Sequence, residues 1–476
     1  MRWLLFIMLL VACSHPPCSA TNCNGCCDDA GTCRGGTEAT ACGTGTCDDC
    51  QALCGSASCS CEQQACVLHT EPPPFDAGTP QTPRWVDDTG ITASQLGILV
   101  NDDDPQSRLV AGYYAKARGI PADNVFHVRL GRDSSAAIGT FNEQRQAVLA
   151  QLDARDIQAL AITWVWPFHV SCMSITSAFA LGYDDAWCQP RCTETRKAPL
   201  FESHHPSDAG VRPAMMIAAV DVGRAIELID RGVSADHTFP GGTGYLVRSG
   251  DTVRNIRWPD FQATAASWPM STLALNYVDL TEDPSGSTVI QHQDGLLFYF
   301  TGLRFVPEIQ SNTWRPGAVA DHLTSYGGQV PESSTQMSAL RWLEAGATAS
   351  FGTVVEPCTW LEKFPQVSTL IDHYYRGEPV VEAYWRSVQE PGEGLFIGEP
   401  LARPFGLVSS VLDGGALTMR TTALEPGVSY VIQAADQEEG PWVDLDAGVS
   451  VSSRGVNAVS VVPDGHALYR LRKQVQ

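Results

Sequence analysis

Basic side chains are scarce in this chain. Only 31 Lys and Arg stand against 53 Asp and Glu, a formal charge of −22. That balance excludes nucleic acid as the main partner, because phosphate binding needs clustered cations. Long apolar runs are also missing. None approaches the roughly 20 residues that span a bilayer, which excludes a transmembrane helix. Cysteine is rare after Cys66, where only Cys172, Cys188, Cys192 and Cys358 remain. Polar low-complexity sequence does not dominate either. With 44% hydrophobic residues the chain can bury a large core, so wholesale disorder is excluded.

The N-terminus carries an address. Arg2 is followed by the short apolar segment Trp3 to Val11 and then by Leu10-Val11-Ala12-Cys13. The tetrapeptide resembles a bacterial lipobox, which implies lipidation of Cys13 after removal of residues 1–12. Ser14 follows where an Asp would favour the inner membrane, so the resemblance implies an outer-membrane lipoprotein, periplasmic or surface-exposed. The membrane is then a partner through the lipid anchor. Ordinary cleavage after Cys18-Ser19-Ala20 is the alternative. Both place the chain in an oxidising compartment.

Residues 13–66 hold thirteen cysteines among Gly, Thr, Ser, Asp and Ala, from Cys13 to Cys66. A segment so poor in large apolar residues needs cross-links in place of a core. The twelve cysteines from Cys18 onward suit six disulfides, with open connectivity. Zinc is the rival reading, because Cys23/Cys26 and Cys47/Cys50 have knuckle spacing. Residues 67–88 form a Pro-rich linker.

Residues 89–406 alternate strand and helix patterns. Strands are expected at Gln95–Val100, Asn124–Leu130, Ile157–Val165, Met215–Val220, Thr272–Tyr277, Leu296–Phe300 and Ala347–Val355. Asp104 is placed to cap a helix from Pro105 to Arg118, stopped by Gly119. Thr140 is placed to cap a second, from Phe141 to Asp153. Further helices are expected at Gln336–Glu344 and Val380–Val388. The alternation predicts an α/β fold with a doubly wound, mostly parallel sheet. Segments 166–213 and 232–270 read as long irregular loops. Residues 407–476 change to short alternating strands, as in a small β-sandwich, and YVIQAADQEEGPWVDL resembles fibronectin-like envelope modules.

The string LGILVNDDDPQSRLVAGYYAKARGIPADNVFHVRL resembles the opening of an uncharacterised bacterial family that co-occurs with exosortase protein-sorting systems. SCMSITSAFALGYD, GAVADHLTSYGG, GATASFGTVVEPC and GLFIGEPLARPF match it too. That resemblance implies a role in exosortase-linked envelope maturation, with an envelope protein as partner. A weaker resemblance is to gingipain-type, caspase-like peptidase folds. Thr301-Gly302 stands where their His-Gly would be, and His322 to Ser325 stands near the place of their cysteine.

Candidate chemistry is limited. Cys358 or Ser325, with His322 or His373 as base, would give a hydrolase. The opposing reading puts Cys172, Cys188, Cys192 and Cys358 in two disulfides. Asp102 and Asp103, at a strand end, could ligate a divalent cation, Ca²⁺ or Mg²⁺. Beside His169, the aromatics Trp164, Trp166 and Phe168 suit either a cleft wall or a packed core. His204, His205, Glu202 and Asp208 could ligate zinc in a loop that lacks ligand spacing. Pro240 to Gly244 lacks the Lys-Ser/Thr of a phosphate loop.

Overall fold

The computed structural model describes residues 18–19, 22–75, 83–87, 89–188, 192–201, 210–282, 286–409 and 414–474. The chain divides into two compact units, Met1–Thr70 and Glu71–Gln476. No helix among the described residues is long and apolar enough to cross a membrane.

The first unit is held by six disulfides: Cys18–Cys27, Cys23–Cys33, Cys26–Cys47, Cys42–Cys61, Cys50–Cys66 and Cys54–Cys59. Among its described residues the strands are only two to four residues long, and the one helix is Cys50–Cys54. Its buried hydrophobic residues, among those described, are Ala41 and five of these cysteines. Sulfur bridges therefore do here what a hydrophobic core does elsewhere.

The second unit is built on one ten-stranded sheet. Its strands are β1 (Leu96–Asn101), β2 (Val125–Val128), β3 (Ala159–Ile162), β4 (Ala214–Met216), β5 (Thr243–Arg248), β6 (Ala274–Asp279), β7 (Leu296–Gly302), β8 (Trp314–Leu323), β9 (Ala349–Thr353) and β10 (Gly394–Gly398). Helices α1 (Pro105–Arg118), α2 (Ile138–Leu152), α3 (Ile175–Leu181), α4 (Val222–Ala235), α5 (Trp258–Ser267), α6 (Leu340–Ala345), α7 (Val367–Tyr375) and α8 (Val380–Ser387) accompany them. Every residue of β1 and β7 is buried, as strands covered on both faces require.

The spatial order is β2-β1-β3-β4-β10-β9-β8-β7-β5-β6. β2, β1, β3, β4 and β10 run parallel, and so do β6, β5, β7, β8 and β9. The two sets meet at the antiparallel pair β9/β10. Counted within its own set and from its outer edge, each half has the strand order 2-1-3-4-5. The sheet is thus two like-ordered halves joined back to back, each with its own point of order reversal. Their strand ends face opposite ways.

Helix α1 obeys its sequence signals. The Asp104 carboxylate accepts the Gln106 N–H, Pro105 opens the helix, and Gly119 closes it at φ 62° in the left-handed region. Helix α2 departs from expectation: it starts at Ile138 after Ala137, so Thr140 lies inside it. Segment 232–270 is not a loop, since it contains β5 and α5. β5 was hidden because TGYLVR breaks its apolar run with Gly244 and polar ends. β8 and β10 were hidden likewise by Arg315-Pro316 and by glycines.

Residues after Phe405 form two small sheets, Leu407–Ser409/Leu417–Thr421/Asn457–Val461 and Val443–Ser450/Ser429–Ala435/Leu468–Lys473. The strand Arg84–Trp85 adds to the second sheet, parallel to Leu468–Tyr469. Trp85 joins the shared core with Met419, Ile432 and Tyr469. The end of the expected linker is therefore part of the C-terminal fold.

Candidate functional site

Open α/β sheets place sites beyond the carboxyl ends of their strands. In the second half those ends carry Thr301-Gly302 and His322-Leu323, paired across β7 and β8 as Thr301 with His322 and Gly302 with Leu323. His322 is buried. The Trp342 Nε1–H donates to its Nδ1 at 2.9 Å. An indole nitrogen can only donate, so Nδ1 is the bare nitrogen and Nε2 holds the proton. Burial, helped by the Arg257 charge, pushes the imidazole down to about 3. A base needs a free lone pair, and this one is already used. Beside it Asp321 is paired with Arg257 at 2.6 Å, both buried, and burial raises the Asp321 carboxyl above its ordinary value.

Cys358 follows β9 and is bonded to Cys192. Cys172 is bonded to Cys188. The thiol that a Cys358 nucleophile would use is thus committed to a bridge, and a disulfide sulfur is no thiolate. Ser325 lies in a half-buried turn tied to β9, its carbonyl accepting from Thr353 Oγ1 at 2.9 Å. The Gln336 side chain accepts from Thr324 Oγ1 at 2.6 Å and from the Tyr326 N–H at 2.8 Å, which fixes the same turn. His373 sits on α7, where its Nδ1 lies 2.8 Å from Glu378 and 3.1 Å from Arg376. No hydrogen bond among the described residues joins Ser325 to either histidine.

The reversal point of the second half is filled by its own chain. The Ser249 hydroxyl donates to the Gly302 carbonyl, and Asn255 Nδ2 donates to the Ser249 carbonyl at 2.6 Å. A Cβ at Gly302 would lie 1.9 Å from the Arg254 carbonyl oxygen, so only glycine admits this loop.

The first half is arranged differently. Asp102 and Asp103 follow β1, but their carboxylates face basic side chains of the protein. Asp102 meets His127 at 2.8 Å, while Asp103 meets Arg129 at 3.0 Å and accepts the Gly131 N–H at 3.0 Å. These pairings account for both side chains without a metal. Among the described residues, the ligand-type trios that come within 4.8 Å are Cys18/Cys23/Cys27 and Cys42/Cys50/Cys66. All six of those sulfurs are in disulfides, and Cys23, Cys26, Cys47 and Cys50 do not form one zinc set.

The aromatic run after β3 splits. Trp164 and Phe168 are buried, with Trp164 Nε1 donating to the Pro167 carbonyl at 3.1 Å. His169 Nδ1 is bound to the Ser171 carbonyl at 2.7 Å, and burial lowers its pKa. Trp166 alone remains 44% exposed. It lines a crevice of about 170 Å³ with Asp104, Gln106, Arg132, Val165 and Val220. Gln106 comes from the first turn of α1, Arg132 and Val220 from two separate loops, and no sequence spacing groups them. Gly242 of the glycine-rich turn lies just before β5, where an added Cβ would come within 2.9 Å of the Gly295 carbonyl oxygen. Glu202, His204, His205 and Asp208 lie outside the described residues.

No protein-family profile matches the sequence, and no curated protein matches it. A solved structure described as "Structure of Protease" is similar with a TM-score of 0.41 and 8% identity, covering 81% of this chain and 98% of that one. A likeness that distant shows nothing about activity.

Proposed function

We propose that the chain is an exported, lipid-anchored binding protein of the bacterial cell envelope, not a thiol hydrolase. One observation carries this reading. The eight disulfides use all sixteen cysteines that follow Cys13. That pattern fits an oxidising compartment, and it leaves Cys13, at the end of the lipobox-like tetrapeptide, as the odd cysteine. It also removes Cys358 from the pool of nucleophiles. In this reading the disulfide-rich unit is a stiff spacer beyond the anchor. The large sheet presents the binding crevice, and the C-terminal sheets act as a small sandwich that supports it. The resemblance to the exosortase-associated family suggests that the work is done during envelope maturation.

The test is thiol trapping with iodoacetamide on the native, non-reduced protein, read by mass spectrometry. Every cysteine from Cys18 onward is expected to stay unlabelled. Alkylation at Cys358 alone would reverse the proposal in favour of a thiol hydrolase. Cys13→Ala should release the protein from membrane fractions, and unchanged membrane partitioning would remove the lipid anchor.

A further inference from the structure

We infer that the crevice at the carboxyl ends of β1, β3 and β4 binds an uncharged sugar ring, with Trp166 as its platform. The inference rests on the binding reading above and names the ligand class. Its first support is position. The like-ordered halves of the sheet supply two reversal points, and the second is closed by the Ser249 to Arg257 segment packed on Gly302. The first opens into a cavity, at the place where such sheets take ligands.

The second support is the state of Trp166. Large aromatic side chains are normally covered. This one keeps 44% of its surface in water while its Nε1–H is held by the Val330 carbonyl at 2.7 Å. Buried Trp164 and Phe168 anchor the chain on either side. The indole is therefore fixed at its edge with part of its surface uncovered. Val220, 48% exposed, extends the apolar wall.

The third support is the polar complement. Gln106 Nε2 donates to the Ala219 carbonyl at 3.1 Å, which orients the amide and leaves its carbonyl oxygen as an acceptor. Asp104 and Arg132 complete the lining. A flat apolar surface beside a planar, oriented amide matches a pyranose, which has one C–H face and a rim of hydroxyls. A wholly apolar ligand would bury the Gln106 carbonyl oxygen without a partner, at a cost in free energy. An anionic ligand would approach a chain of charge −22 beside Asp104.

Calorimetric titration of the full chain with chitotetraose, cellotetraose and maltotetraose, up to about 10 mM each, tests the proposal. At least one is expected to bind saturably. Trp166→Ala should weaken that binding about tenfold, while Trp166→Phe retains most of it. Val220→Trp, which fills the crevice from an exposed position, should abolish it without lowering the melting temperature. Failure of all three sugars, with Cys358 still unlabelled, sinks the sugar site and leaves the binding reading standing. The same holds if binding survives both Trp166→Ala and Val220→Trp. Hydrolysis of a bound oligosaccharide, read as new reducing ends, would overturn the binding reading itself.

Discussion

At His322 the two ring nitrogens are in different chemical states, and the difference is set by one neighbour. The Trp342 indole occupies Nδ1, and burial holds the ring neutral down to about pH 3. In the unfolded chain the same ring takes up a proton near its ordinary value of 6.5. As pH falls from 6.5 to 3 the unfolded state therefore binds the extra proton, and folding stability is lost by about 1.4 kcal/mol per unit. Nitrogen-detected NMR should show the Nε2–H tautomer at neutral pH and no titration of His322 between pH 7 and 4. Glu382 works in the opposite sense. Burial first, then the Glu378 charge, pushes its carboxyl up to about 8, and it accepts the Ile91 N–H at 2.6 Å. Below its ordinary value of 4.5 that contribution is complete, and it is lost as pH rises through 8. Glu382→Gln keeps the acceptor without the charge. Its melting temperature should match the parent at pH 4.5 and exceed it at pH 8.5.

Among the elements, two cross-chain ties matter most. The strand Arg84–Trp85 precedes the large sheet in sequence yet belongs to the C-terminal sheets, where the Trp85 Nε1–H donates to the Leu417 carbonyl at 3.2 Å. A chain truncated to begin at Val86 should lose about 3–5 kcal/mol from that part of the fold, the usual cost of removing a buried Trp. Denaturation of truncations starting at Pro83 and at Val86 measures the difference, and equal midpoints would assign Trp85 no role. The second tie, Cys192–Cys358, spans 166 residues and fastens a loop of the first half to the end of β9 in the second. The double variant Cys192→Ser/Cys358→Ser should be destabilised by about 2–4 kcal/mol in urea, chiefly because the unfolded chain regains freedom.

For the whole molecule, the two units are held by different forces, so they should fail under different stresses. Reduction removes the cross-links that replace a core in Met1–Thr70, whereas Glu71–Gln476 keeps its sheet core. Under a strong reductant, proteolysis should cut first within 18–70 while a fragment beginning near Glu71 persists. Simultaneous loss of both units would show that they unfold as one. Within the second unit the C-terminal sheets are locked to the helices of the large sheet. Arg376 meets Glu425 at 2.6 Å, Arg454 meets Asp372 at 2.9 Å, and Arg454 lies 4.8 Å over Trp268.

Local signals were legible in the sequence wherever the physics is local. The Asp104–Pro105–Gly119 boundary of α1, the buried runs of β1, β3 and β7, and the need for sulfur in a core-poor segment all follow from near-neighbour chemistry. The even cysteine count from Cys18 onward foretold complete pairing, but not which sulfur meets which, because pairing depends on Cα positions brought together by the fold. Tertiary structure alone decided that β10 crosses back to join the first half against β9. It also closed one reversal point and left the other open, gave the Arg84–Trp85 strand to the C-terminal sheets, and buried Trp164 while leaving Trp166 in water. The physical reason is common to all of these. Adjacent residues share a sequence pattern, but their burial is set by partners more than a hundred residues away, such as the Val330 carbonyl that holds Trp166.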